Sequence, residues 1–204
     1  MNRKFNLTNL EIPWQLNDGR QVLLRPLMPS DRKRLKRGFK LMSSESLYFR
    51  FLTPMSKLSS IYLKYLTNID QEDHVAWGAI DPAEPDFPGF GVGRFIRLPD
   101  SPETAEVALT IIDACQKKGL GTLLLGVLYL MAERNHVQKL QATVHAENKG
   151  VLKLMSNFNV SASFSEGMMQ LNLPVSAGRK QLPYTKFGLQ FRELLANLES
   201  KILR

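Results

Sequence analysis

Residues 105–121, AEVALTIIDACQKKGLG, constrain this chain more than any other segment. A strand-like run over residues 104–113 enters a short loop with two glycines, and a long apolar helix over residues 119–135 opens directly behind it. A helix start leaves backbone N–H groups unpaired and carries the positive end of the helix dipole. Gly119 and Gly121 lack a Cβ, so an anion can approach the backbone closely. Lys117 and Lys118 add positive charge, and Thr122 a hydroxyl donor. The segment is a candidate phosphate cradle. It is not a Walker loop, because no Gly-Lys-Thr/Ser follows. Nor is it a dinucleotide fingerprint, because it holds a single Gly-x-Gly pair.

The flanking pattern predicts a mixed α/β sheet. Residues 21–27 read as a first strand, and Ser30 and Asp31 open a helix whose core face is Leu35, Phe39 and Met42. A second helix starts near Ser59, with Ile61, Tyr62, Tyr65 and Leu66 along one stripe. Residues 75–80 and 90–97 form an antiparallel pair around a proline-rich loop, residues 81–89. A strand over 140–145, a helix over 148–158 and a strand over 168–173 complete the series.

Composition narrows the class. With 204 residues, 44% hydrophobic and 23% charged, the chain is long enough for one core without staples. A single cysteine, Cys115, excludes an intrachain disulfide and fits a cytoplasmic location. The three histidines lack metal-ligand spacing, so no metal site is expected. The first twelve residues carry no apolar leader, and the longest apolar run, residues 120–132, is too short to span a membrane and reads as a buried helix. The net charge of +8 favours anionic partners. Arg32, Lys33, Arg34, Lys36, Arg37 and Lys40 crowd one helix, as a solvated face or a dock for an acidic partner. That helix has no interleaved aromatics for base stacking, which argues against nucleic acid.

Gln116-Lys117-Lys118-Gly119-Leu120-Gly121 matches the Gln/Arg-x-x-Gly-x-Gly/Ala signature of the GNAT superfamily of N-acetyltransferases. Glu147-Asn148 with Val151, Leu154 and Phe158 resembles the family's next helix. Residues 44–51 and 66–70 look like the acetyltransferase domain of bacterial protein-lysine acetyltransferases. The resemblance covers residues 21–173. It implies an α/β (α+β) fold with a mostly antiparallel sheet flanked by helices and splayed between its fourth and fifth strands. It implies acetyl-CoA as co-substrate, with the pyrophosphate on Gln116, Lys117, Lys118, Gly119, Leu120, Gly121 and Thr122. The pantetheine arm would pair with the backbone of Ile111, Ile112 and Asp113, and Asn148 would contact the cofactor.

An amine with a pKa of about 10.4 arrives protonated near neutral pH and cannot attack a thioester, so a proton acceptor is required. Glu106 is the candidate. It lies seven residues before Asp113, roughly 23 Å along an extended strand, comparable to the reach of the pantetheine arm. Alternation puts Glu106, Ala108 and Thr110 on one face and the bulky Val107, Leu109 and Ile111 on the other. A glutamate here also resembles the proposed base of the protein-lysine enzymes. The tyrosine that many members carry seven residues past the asparagine is Met155 in this chain. Cys115 borders the loop with no histidine nearby in sequence and reads as an inert thiol. The acceptor is then a protein lysine or a small amine. The reading from another class is an acyl-CoA-binding or protein-interaction module without catalysis.

The chain divides into an N-terminal extension (1–20), the acetyltransferase domain (21–173) and a linker with a C-terminal amphipathic helix (174–204). Phe187, Phe191, Leu194, Leu195, Leu198 and Ile202 make one apolar stripe from residue 186 to 203. An isolated helix of this length is marginal in water, so the stripe must bury itself. It can do so on its own domain, against a second copy in a homodimer, or over the acceptor groove.

Overall fold

The computed structural model describes residue 7, residues 10–84 and residues 87–202. Most of the N-terminal segment read for a leader, Pro85 and Asp86 of the proline-rich loop, and Leu203 of the expected tail helix lie outside the described residues. One sheet organises the molecule. Its strands are β1 (Ile12–Gln15), β2 (Gln21–Pro26), β3 (His74–Ile80), β4 (Gly91–Leu98), β5 (Ser101–Ile111), β6 (Lys139–His145), β7 (Ser161–Ser165) and β8 (Met168–Pro174), in the spatial order β1-β2-β3-β4-β5-β6-β8-β7. Every neighbouring pair is antiparallel except β5 and β6.

Helices α1 (Arg32–Lys40), α2 (Ser44–Phe51) and α3 (Ser60–Thr67) lie between β2 and β3 in sequence. Their side chains reach the face that carries Thr110 and Arg94. A buried ion pair joins the end of β2 to the start of α1. Arg25 donates two hydrogen bonds to the Asp31 carboxylate, at 2.8 and 2.6 Å, and Asp31 also accepts the Met28 N–H. The Asp31 pair holds the Arg25 guanidinium above its ordinary pKa, more than burial lowers it.

The other face is covered by α4 (Leu120–Arg134), which is apolar nearly all round because it is enclosed on both sides. Gly93 of β4 lets it approach: a Cβ there would lie 3.0 Å from Leu128 and 3.2 Å from Leu124. On its outer side Gly126 admits α6 (Lys186–Ile202), where a Cβ would lie 3.1 Å from Leu194. Among the described residues no helix is long and apolar enough to cross a membrane.

The stripe on α6 is therefore buried within its own chain. Phe191, Leu195, Leu198 and Ile202 are all buried, and Phe191 meets Tyr129 and Phe158 edge-on, with ring centroids 6.0 and 4.9 Å apart. Of the three fates open to the stripe, packing on its own domain is the one observed, in place of a homodimer seam or a groove lid. Either would have to pull the helix out of its own core, on the face of the sheet away from α1–α3.

Three elements escaped sequence reading. β1 lies inside the segment read as an extension and pairs with β2 from Ile12↔Leu24 to Gln15↔Gln21. α2 lies on the run 44–51, which the resemblance marks without assigning it a helix; its N-cap is Ser43, whose Oγ accepts the Ser46 N–H. β7 is exposed throughout and has no buried side to reveal it. It is placed by the tight turn at Glu166 and Gly167, both with positive φ.

Candidate active site

The sheet parts at its centre. β5 and β6 are paired only at Thr104↔Lys139, Ala105↔Leu140 and Glu106↔Gln141. Beyond that rung β5 stays with β4 as far as Ile111, and β6 stays with β8 as far as His145, so a wedge opens between them. The Ile112 N–H donates to Phe90 O at 3.1 Å on the β4 side. By alternation, the main-chain groups of Leu109 and Ile111 point into the wedge. Ile112 has spent its N–H on β4, and Asp113 begins a 3-10 turn. Of the three residues expected to meet a pantetheine arm, only Ile111 offers its backbone there. Its carbonyl already accepts the Gln116 Nε2–H at 3.2 Å.

The glycine loop closes the wide end of the wedge. Lys117 and Gly119 both adopt positive φ, and Gly119 caps α4. The N–H groups of Leu120, Gly121 and Thr122 have no partner within the helix, as in any first turn. Gly121 and Thr122 are partly exposed, whereas the Leu120 side chain is buried and anchors the turn. Lys117 is exposed. Lys118 lies 3.2 Å from Asp18 in the β1–β2 turn.

That turn braces the loop. The Asn17 N–H donates to Lys118 O at 3.3 Å, and a Cβ on Gly119 would lie 2.9 Å from Asn17 Nδ2. Arg20 donates to Cys115 Sγ at 2.8 Å. Cys115 is buried, and burial raises its thiol pKa against the pull of Arg20, which supports the inert reading. From the other side, the Asp113 carboxylate accepts the Ser43 N–H and the hydroxyls of Ser43 and Ser46, at 3.0, 2.8 and 2.8 Å. Burial pushes Asp113 up, but these hydrogen bonds outweigh it and hold the carboxyl below its ordinary pKa.

Asn148 stands across the wedge, where its side chain accepts the Val151 N–H at 3.2 Å and caps α5 (Lys149–Met155). Its amide nitrogen is left as the group that could meet a ligand. Leu154 of α5 packs near Gly121, 3.7 Å from where a Cβ would sit. Met155 is buried in the core.

Glu106 sits on the last rung shared by β5 and β6, at the closed tip of the wedge. The only register shift along β4–β5 lies at Arg97/Leu98, before Glu106, so alternation runs unbroken to Ile111. Thr110, two positions beyond Ala108 on the same face, accepts from Arg50 Nε of α2 at 2.8 Å. Glu106 is exposed and its carboxylate makes no hydrogen bond among the described residues; Arg50 is its charged neighbour. In register beside it stand Gln141 of β6 and Asn172 of β8, both half-buried, and the exposed Ser161 of β7, a polar row. The far end of β6 is held by aromatics of α2, with Tyr48 and Phe49 packed 5.5 and 5.6 Å from the His145 ring.

Asn17, Asp18, Arg20, Ser43, Arg50 and Arg94 were not foreseen as site residues. Ser43 alone left a signal, a serine three residues ahead of a second serine at a helix start.

A chain built in this way matches the acetyltransferase (GNAT) domain family over residues 21–159. It belongs to that family. Acetyltransferase Pat of Mycolicibacterium smegmatis is 36% identical over 148 residues, 71% of this chain and 42% of Pat. Acetyltransferase PA5475 of Pseudomonas aeruginosa is 30% identical over 139 residues, 68% of this chain and 74% of that protein. The chain thus spans less than half the length of Pat. The crystal structure of the GNAT domain of S. lividans PAT superposes with a TM-score of 0.73 at 26% identity, covering 81% of this chain and 97% of that one.

Proposed function

We propose that this domain transfers an acetyl group from acetyl-CoA to a lysine side chain of a protein, with Glu106 as the general base. The observation that carries the reading is the position of Glu106, at the tip of the wedge and on a polar face. The loop from Gln116 to Thr122 suits the pyrophosphate, because it combines first-turn N–H groups with Lys117 and a backbone free of Cβ at Gly119 and Gly121. The wedge suits an extended arm, which would take the hydrogen bonds that β6 does not make with β5.

In this reading the lysine approaches across the polar face. Glu106, exposed at the tip of the wedge, takes the ammonium proton directly or through a water. The free amine attacks the thioester carbon. The C–N bond forms, the C–S bond breaks, and coenzyme A leaves as a thiolate that takes a proton from solvent. A thiol with a pKa of about 8.5 is a tolerable leaving group, which makes the absence of a tyrosine at Met155 compatible with turnover. A protein acceptor is favoured by the breadth of the face: all of β7 is exposed, as are Arg32, Lys33, Lys36, Arg37 and Lys40 of α1.

Mass spectrometry of a lysate incubated with isotopically labelled acetyl-CoA tests this. Label on protein lysines is expected with the wild type and not with Glu106→Gln. Label only on small amines would move the acceptor class. Binding of acetyl-CoA with no label anywhere would leave a binding module.

A further inference from the structure

Beneath α2 lies a cavity of about 70 Å³, lined by Arg34, Arg50, Arg94, Thr110, Phe51 and Leu66 among others; no aspartate or glutamate among the described residues lines it, and Arg34 is paired with Asp31 at 3.7 Å. Arg94 is 5% exposed. Its guanidinium donates to Leu66 O at 3.3 Å and to His74 Nε2 at 2.9 Å, both neutral acceptors. Arg50 gives its Nε–H to Thr110, and its Nη1 and Nη2 have no hydrogen-bond partner among the described residues. Among the described residues neither of these two arginines hydrogen-bonds a carboxylate, and Glu106, the charged neighbour of Arg50, does not line the cavity. Arg94 is buried and Arg50 half-buried, and a covered guanidinium is ordinarily matched by an acid, because a buried unpaired charge is costly. Two cations side by side compound the cost. Burial first, then Arg50, pushes Arg94 down to about 10.

The cavity adjoins the strand where the acyl group would arrive. Arg94 stands in register with Ala108, and Thr110 is the next residue along that face of β5. Leu109, between them, turns its main chain into the wedge.

Building on the cofactor reading above, we propose that this cavity receives the carboxylate of a short dicarboxylic acyl group, of the malonyl or succinyl class, carried on coenzyme A. The domain would then transfer such groups as well as acetyl. The reaction keeps the same balance: the amine nitrogen bonds to the thioester carbon, the C–S bond breaks, and the free carboxylate of the acyl chain stays ionised on Arg50 and Arg94. The space admits a short chain and excludes a peptide, which favours the acyl group over the acceptor as the source of the carboxylate.

Calorimetry with acetyl-CoA, succinyl-CoA and butyryl-CoA tests the assignment, because butyryl has the chain length of succinyl without its charge. The wild type is expected to bind succinyl-CoA about 10-fold or more tighter than butyryl-CoA, the scale of one charge-assisted hydrogen bond. Arg50→Leu should collapse that ratio, and Arg50→Lys should keep part of it, with melting curves confirming that both fold. Equal binding of succinyl-CoA and butyryl-CoA by the wild type, or an unchanged ratio in folded Arg50→Leu, overturns the proposal. So does a preference, with acetyl-CoA as donor, for small amines that carry a carboxylate. If acetyl-CoA itself fails to bind, the cofactor reading falls as well, which separates the two failures.

Discussion

Asp18 holds Lys118 at 3.2 Å, so the two lysines of the glycine loop are not equivalent. Lys117 is exposed, while Lys118 is partly neutralised by a neighbour about equally exposed. An exposed pair of this kind contributes little to stability, but it fixes where the charge sits. Lys117→Gln should weaken acetyl-CoA binding more than Lys118→Gln does. Asp18→Asn should remove the difference. Titration calorimetry on the four proteins checks this.

Gly121 separates the fold from the anion site. A Cβ there meets Ile111 at 3.5 Å and Leu154 at 3.7 Å, ordinary contact distances. An aspartate in the first turn of a helix is favourable to the helix dipole. Gly121→Asp should therefore melt near the wild-type temperature yet lose acetyl-CoA affinity on the order of 10²-fold through repulsion of the pyrophosphate. Gly119→Asp is the poorer probe, because its φ of 86° and the nearby Asn17 would distort the loop as well.

Glu106→Gln should lower turnover by about 10²–10⁴-fold and leave acetyl-CoA affinity unchanged. Wild-type turnover in this variant across the pH range would remove Glu106 from the chemistry.

His74 gives the fold a pH dependence. Burial first, then Arg94, lowers its pKa from 6.5 to about 4. Between those values the unfolded chain binds a proton that the folded chain does not, so stability falls as pH drops from about 6.5 towards 4. His74→Gln should flatten that part of the profile. Denaturant midpoints at several pH values in this window, for both proteins, show whether it does.

Phe191→Ala should destabilise the domain by about 3–5 kcal/mol, the range for a large buried aromatic. The ring packs against Tyr129, Phe158 and Phe187. Urea unfolding measures the loss.

The parts of the site that sequence made legible are those written locally. The glycine pair ahead of an apolar helix, the alternation from Glu106 to Ile111 and the stripe on α6 each depend on neighbours a few positions apart. What stayed hidden depends on partners far along the chain. Arg50 reaches Thr110 across 60 positions and Arg20 reaches Cys115 across 95, and no spacing rule joins them. β7 hid because SASFS buries nothing, so its pairing with β8 leaves no apolar rhythm. The fate of the α6 stripe was open because periodicity shows that a face must be covered and not by what.

Asn17, Asp18 and Arg20 all precede residue 21, where the family pattern begins. A chain shortened to that pattern would keep every signature residue and lose the buttress behind them. Ile12 and Leu16, both buried, would vacate the edge of the core, and Cys115 would lose its cover. Such a fragment would carry the right letters on a slack hinge. The length over which the family can be recognised is shorter than the length over which the glycine loop is braced.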